Sequence, residues 1–205
     1  MKTQPSQKRS EARVANILEV TEQLILDMPL EEITPTQIAR RADITRTSLY
    51  HFFPSKFDIF DVLASKYYAE IQERVIEYFT PSERKDYREA WSGISCVYSR
   101  YFNDHPAAAI LLLGRKDDKR IAYTDTRSHS EFAGDLSRLM EQYTDMPVQC
   151  IRKTAGADVF HIVVELFVAT FSFGMRKDGR ISKRIEEEAG KVSLSYIDAR
   201  LRSIR

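Results

Sequence analysis

Apolar residues recur every three or four positions along most of this chain and almost nowhere in strict alternation, a pattern that predicts helices throughout. Val14, Ile17, Leu18, Thr21, Leu24, Ile25 and Met28 mark a first helix running from near Ser10 to just before Pro29. Ile38, Ala39 and Ala42 then give one apolar face to a short helix. Thr34 is its N-cap, and Pro35 opens it at the position where a missing N–H costs nothing. Asp43 stands where the chain must turn sharply, and Asp tolerates a left-handed backbone. A second short helix follows from about Thr45, with Leu49 inward and Arg46, Thr47, Ser48, Tyr50 and His51 left on its outer side. Two helices this short bury little by themselves, so the preceding helix must supply the missing apolar face.

Beyond the short pair, a long helix is expected from Ser55 to about Phe79, with Phe60, Leu63, Tyr67, Ile71 and Val75 on one stripe. Thr80-Pro81-Ser82 breaks it, and Ser82 is placed to cap a helix that carries Trp91, Ile94, Val97, Tyr98, Tyr101 and Phe102 and ends before Pro106. A short apolar helix, Ala107 to Leu113, is closed by Gly114, and the mixed charges from Arg115 to Arg120 read as a solvated loop. Phe132, Leu136, Leu139, Met140 and Tyr143 define a helix over 129–143. The most apolar helix spans Val148 to Met175 and stops at Lys177-Asp178-Gly179. A last helix begins near Ser182, with Glu186 to Glu188 suiting its positive start and Arg200, Arg202 and Arg205 its negative end. With no β-period segment and no internal repeat, the expected fold class is all-α: an N-terminal three-helix helix-turn-helix domain over 1–56 and a C-terminal helical domain over 57–205.

Composition narrows the function. The 205 residues are 43% hydrophobic, enough for a sizeable core, and only 7 Gly and 7 Pro favour long helices over many tight turns. A net charge of +1 excludes a global field that would hold a polyanion. The signs are sorted by place, however: the amino terminus and 40–56 are basic, while acidic residues cluster at 19–32. A local basic patch suffices for DNA if it faces the groove. Cys96 and Cys150 are too few and too far apart for a metal cluster or a disulfide framework, and both read as small buried apolar residues. The opening residues lack the apolar run of a signal peptide. The stretch Val159 to Met175 is interrupted by His161 and Glu165 and falls short of a membrane span, so a soluble, cytoplasmic protein is expected. His161 and Glu165 are four apart, a spacing shared with metal-ligand pairs, but without further ligands they read as a hydrogen-bonded pair or as polar contacts to a bound molecule. No nucleophile elbow, phosphate-binding Gly loop or carboxylate dyad is present at usable spacing, so neither enzyme activity nor a cofactor is expected.

The run Ile38-Ala39, Ala42, Ser48-Leu49-Tyr50, Phe53, Ser55 and Lys56 resembles the DNA-binding domain of the TetR family of bacterial transcriptional regulators, over roughly residues 10–60. Two positions depart from the family pattern: Asp43 replaces Gly at the turn, and Thr47 replaces Gly before the small-Leu-Tyr run, placing a side chain where many relatives have none. The resemblance implies that the second short helix enters a major groove. There Arg46 meets guanine bidentately, while Thr47 and Ser48 meet base edges or thymine methyls. Thr36 and Gln37 reach bases or the nearby backbone, and Tyr50, His51 and Lys56 contact phosphate, with Arg9 and Arg13 adding to the grip. One such module reads only a few base pairs, so an operator calls for a homodimer with reading heads ~34–36 Å apart. The last two helices are the expected interface, with Ile185, Ala189, Val192, Tyr196 and Ala199 on one face of the final one.

From residue 57 onward the resemblance implies a regulatory domain with a small-molecule cavity among its central helices. Trp91, Tyr98, Tyr101, Phe102, Phe132, Phe160 and Phe167 supply aromatic lining for it, and His161 and Glu165 polar contacts; aromatics at this spacing equally suit plain core. The function implied is a ligand-responsive repressor on a pseudo-palindromic double-stranded operator, without a membrane. The alternative is a DNA-binding protein whose helical domain recruits a protein partner, and a solidly packed centre with a large exposed apolar patch would favour it.

Overall fold

The computed structural model describes residues 5–79, 84–114, 119–155 and 158–202, and their side chains except those of 5–7, 119–128, 154 and 155. These residues form the helices α1 (Pro5–Asp27), α2 (Pro35–Arg41), α3 (Arg46–Phe52), α4 (Lys56–Phe79), α5 (Tyr87–Asp104), α6 (Pro106–Leu113), α7 (Lys119–Tyr143), α8 (Val148–Ala155), α9 (Val159–Asp178) and α10 (Lys183–Arg202). No strand forms among them, and the fold is all-α as the periodicity requires. A single isolated bridge, in which the Lys85 amide donates to the Tyr143 carbonyl at 2.9 Å, ties the approach to α5 to the end of α7.

Helices α1 to α3 enclose a small core of Ile17, Leu24, Ile25, Ile38, Ala39 and Leu49, each at most 2% exposed. Local chemistry fixes their ends. Thr34 and Gln37 form a reciprocal capping box, with the Thr34 amide donating to Gln37 Oε1 at 2.7 Å. Thr45 caps α3 by accepting from the Ser48 amide at 3.1 Å. Asp43 takes the left-handed conformation, φ 53°, that the sharp turn demands. Asn16 reaches across from α1 to donate to the Ala42 carbonyl at 3.0 Å, satisfying a group that the end of α2 leaves open.

The long α4 carries this head into the rest of the molecule, with Phe60, Leu63, Tyr67, Ile71 and Val75 all buried on the expected stripe. Short α6 packs against α1, α4 and α9. Helices α9 and α10 run antiparallel, with Gly174 facing Ile185 at one end and the Ser193 hydroxyl donating to the Val163 carbonyl at the other. At Gly174 any Cβ would stand 2.8 Å from Ile185 Cγ2, so the close approach of the two helices depends on glycine there. Gly179, at φ 66°, ends α9 in the left-handed conformation that favours this residue.

Several boundaries differ from the sequence reading. Helix α1 starts at Pro5, ahead of Ser10, because the polar residues before the first apolar repeat still extend it. Helix α5 is capped by Asp86, whose carboxylate accepts from the amides of Arg88 and Glu89 at 2.8 and 3.2 Å, while Ser82 lies outside the described residues. Helix α7 begins at Lys119, so the expected loop is helical over its last two positions, with 115–118 outside the described residues. In place of the single helix expected from Val148 to Met175, α8 ends at Ala155 and α9 starts at Val159 after a turn at Asp158, with 156–157 outside the described residues. Cys150 is exposed and Cys96 half-buried, where both were expected inside. By length and composition α9 does meet the requirement for crossing a bilayer, contrary to expectation. Its inner face is nevertheless packed within the protein: Val159, Val163, Phe167 and Phe171 are buried, and the Phe167 and Phe171 rings meet Trp91, Tyr98 and Phe102 of α5.

Candidate DNA-reading surface and central aromatic core

The outer side of α3 presents Arg46, Thr47, Tyr50 and His51 to solvent, with Ser48 half-exposed, while Leu49 anchors the helix at 1% exposure. A seven-residue helix with a single buried anchor leaves nearly all its side chains available to a partner. Arg46 Nη2 donates to the Tyr50 hydroxyl at 3.1 Å, and the guanidinium lies 5.7 Å from that ring centroid, so the two side chains hold each other over the face of the helix. Thr36 is exposed at the start of α2, as are Arg9 and Arg13 on α1. Arg40 is exposed at the end of α2, and Arg41 pairs with Asp27 at 2.6 Å.

Two of the anticipated contact residues are engaged inside the head. Gln37 completes the capping box and directs its Nε2 to Met28 Sδ at 3.5 Å. Lys56 directs its ammonium at the carbonyls of Leu30, Glu31 and Ile33, at 3.0, 3.0 and 2.9 Å. These oxygens converge from the 3-10 turn Leu30–Glu32 and the residue following it, and an ammonium has three donors to match them. Lys56 thereby fixes the start of α4 to the segment that leads into α2.

The head is tied to the helices that follow it through α4. Glu22 of α1 accepts from the Tyr67 hydroxyl at 2.7 Å and pairs with Lys66 at 3.1 Å. One turn further along α4, Glu70 accepts from the Tyr101 hydroxyl of α5 at 2.8 Å, and the Tyr101 ring is stacked on His105 at 4.2 Å between centroids with the Arg74 guanidinium on it at 4.8 Å. Burial foremost, and then these hydrogen bonds to carboxylates, raise both phenols above their ordinary range. Tyr101, anticipated at a ligand, thus belongs to this bridge; it borders an open groove of about 370 Å³ with Arg74, Arg100, Asp104 and His105.

Of the other anticipated aromatic residues all but Phe160 converge; Phe160 is buried and borders a separate groove with Ser130, Arg152 and His161. Tyr98 contacts Phe132, Phe167 and Phe102 at centroid distances of 5.1, 5.3 and 6.1 Å, and Trp91 meets Phe167 at 5.9 Å. Trp91, Tyr98, Phe102 and Phe167 are at most 3% exposed, and Phe132 is 9% exposed. His161 and Glu165 do not join them. Glu165 Oε1 lies 2.8 Å from His129 Nδ1 and 3.3 Å from His161 Nε2, and His161 Nδ1 lies 3.0 Å from Ser130 Oγ, which makes a half-exposed polar seam between α7 and α9. His129 is the member that sequence reasoning missed, since nothing local marks its pairing with a residue 36 positions away. Among the described residues no cluster of His, Cys, Asp or Glu has the makings of a metal site.

Helices α9 and α10 leave an apolar strip uncovered. Ile162, Phe173 and Val192 are 39, 52 and 39% exposed, and Ala169 and Ala199 are exposed along the same two helices. Of the face expected to meet a partner, Ile185 and Ala189 are instead buried in the chain's own core, and Val192, Tyr196 and Ala199 remain at least partly open.

Residues 17–63 match the sequence model of a family described as bacterial regulatory proteins, tetR family. No curated protein matches the chain. Among solved structures, a TetR-family transcriptional regulator from Streptomyces coelicolor is similar at TM-score 0.69 and 22% identity, covering 91% of this chain and 98% of that one. A putative TetR-family transcriptional regulator from Syntrophomonas wolfei is similar at TM-score 0.66 and 14% identity, covering 94% and 96% of the two chains. A TetR transcriptional regulator from Rhodococcus sp. RHA1 is similar at TM-score 0.56 and 15% identity, covering 92% and 97%.

Proposed function

We propose that this chain, which joins an amino-terminal DNA-binding domain of the TetR family to the fold of TetR-family regulators, is a ligand-responsive repressor that binds a pseudo-palindromic operator as a homodimer. The observation that carries the reading is the outer row of α3: Arg46, Thr47 and Tyr50 are exposed together on a helix whose only buried side chain is Leu49. Such a helix fits a major groove, where base edges present a unique pattern of donors and acceptors. Arg46 and Thr47, with Ser48, read bases, Arg46 leaving the Tyr50 hydroxyl to do so. Tyr50, His51 and Thr36 hold phosphates. Gln37 and Lys56 act at one remove, by fixing the ends of α2 and α4 from which the contacts project.

The apolar strip of Ile162, Ala169, Phe173 and Val192 pairs with its symmetry mate, because a patch of this kind on α9 and α10 is otherwise left in water. Effector binding in the aromatic centre alters the path from α5 through Tyr101, Glu70 and α4 to Glu22. It acts by preferring the arrangement in which the two heads no longer match successive grooves.

The test is selection of bound sequences from random duplex DNA at ~150 mM salt, where charge-driven binding is suppressed. An enriched inverted repeat with half-sites one helical turn apart is the expected result. Recovery of a single half-site would remove the dimer, and recovery of nothing would favour a protein-recruiting role for the helical domain.

A further inference from the structure

Three polar side chains follow one another along α5 at positions i, i+4 and i+7, and therefore on one face: Trp91, Ser95 and Tyr98. They are 1, 2 and 3% exposed. Trp91 Nε1, Ser95 Oγ and the Tyr98 hydroxyl are all buried without a hydrogen-bond partner among the described residues. A buried polar group left unpaired is costly, and folded proteins keep few of them. Three in a row on one helix face, each able to donate, are an arrangement with a purpose.

Their surroundings are aromatic. Phe167 touches both Trp91 and Tyr98, and Phe132 touches Tyr98 from α7. Near Ser95 and Trp91 the chain has Gly190, where even a Cβ would come within 3.3 Å of Ser95 Oγ. Phe132 also lines a groove of about 140 Å³ between α4 and α7, together with Ser65, Tyr68, Gln72 and Asp135. A guest lodged in that groove is one ring away from the Tyr98 hydroxyl.

We infer that the face of α5 bearing Trp91, Ser95 and Tyr98 is the recognition element for the effector, and that the effector is an uncharged, largely apolar molecule carrying acceptor oxygens of the ketone, lactone or quinone kind. The inference rests on the effector-responsive reading above and specifies its chemistry. Donors without acceptors select a molecule that brings acceptors. Aromatic walls select an apolar body, and neutral donors among neutral rings offer no counter-charge to an ion stripped of water. The guest reaches the donors from the α4–α7 groove by displacing the Phe132 ring.

Trp91 is the only tryptophan in the chain, so its emission reports directly from the site. The free protein is titrated, without DNA, with three pairs of graded size that differ by one carbonyl: acetophenone and ethylbenzene, benzophenone and diphenylmethane, 9-fluorenone and fluorene. The ketone of a pair is expected to bind roughly tenfold or more tighter than its hydrocarbon and to quench Trp91, the preference of a buried donor for an acceptor. Tyr98→Phe is expected to reduce that preference several-fold while leaving the melting temperature of the free protein unchanged or raised, since it removes an unpaired group. Hydrocarbons binding as tightly as ketones, no member of any pair binding, or a Tyr98→Phe protein that melts several degrees lower would each overturn the inference. Because DNA is absent, such a failure leaves the operator reading standing, and a failed duplex selection leaves the ligand result standing.

Discussion

The DNA-reading head and the central core treat polar groups in opposite ways. In the head, polar side chains are either consumed by the scaffold or turned to solvent. Thr34 with Gln37, Thr45 with the Ser48 amide, Asn16 with the Ala42 carbonyl and Lys56 with three carbonyls all close the fold on itself. Arg46, Thr47, Tyr50 and His51 are left outside. In the core, Trp91, Ser95 and Tyr98 are buried with no hydrogen-bond partner for their polar atoms among the described residues. The head is therefore a finished frame whose remaining polar groups face outward, whereas the core keeps three polar groups inside and, among the described residues, unsatisfied. A reader of DNA needs a rigid outer surface, and a sensor needs an interior that a guest completes.

The largest effects should come from breaking each frame separately. Phe167→Ala removes a ring at 1% exposure that touches Trp91, Tyr98 and Phe171, and is expected to cost about 3–5 kcal/mol. Denaturant unfolding should register that loss, with Trp91 emission shifting to the red. Leu49→Ala, at the head's equivalent position, should cost about 2–5 kcal/mol, abolish DNA binding and leave Trp91 emission where it was. A red shift from Leu49→Ala would show that head and core do not melt independently.

Lys56→Met sharpens the contrast within the head. Losing three bonds to backbone oxygens should cost about 1–3 kcal/mol, read as a fall in thermal stability. If its role is to frame and not to grip, the slope of log affinity against log salt should stay as in the wild type. A slope lowered by about one would place Lys56 on a phosphate.

The smallest effect concerns pH and belongs mainly to the core and its bridge. Burial first, and then the hydrogen bond to Asp198, push the Tyr87 hydroxyl up to about 12. Burial raises Tyr98 well above its ordinary value, and burial with a carboxylate partner raises Tyr67 and Tyr101. In each case the folded protein holds the proton more tightly than the unfolded chain, whose phenols titrate near 10. Stability from this source is therefore complete below pH 10 and falls as the pH rises toward 12 and beyond, because the unfolded tyrosines ionise first. Absorbance of tyrosinate should lag behind that of a denatured sample until the protein unfolds.

How far the sequence was legible follows the same division. Caps, the Asp43 turn and the Leu49 anchor are local events, written in neighbouring residues, and the two short helices α2 and α3 lie where the pattern puts them. Lys56 could not be read so, because the carbonyls it meets come from a turn some 23–26 residues earlier. His129 escaped for the same reason, its partner Glu165 being on another helix. Periodicity showed that α10 has an apolar face, but not that Ile185 and Ala189 would be covered by the chain itself while Val192 stays open. The aromatic residues of α5 were legible as a set. That their polar atoms would be left without partners depends on which helices pack over them, and no single helix records that.

Whether α3 reads bases is decided by Arg46→Ala. Affinity should be measured for the selected duplex and for random duplex of equal length, at several salt concentrations. A loss of about 1–3 kcal/mol on the selected sequence, with little change on random DNA, is the predicted result. An equal loss on both, with the salt slope reduced by about one, would mean that Arg46 merely holds phosphate and that α3 does not read bases through it.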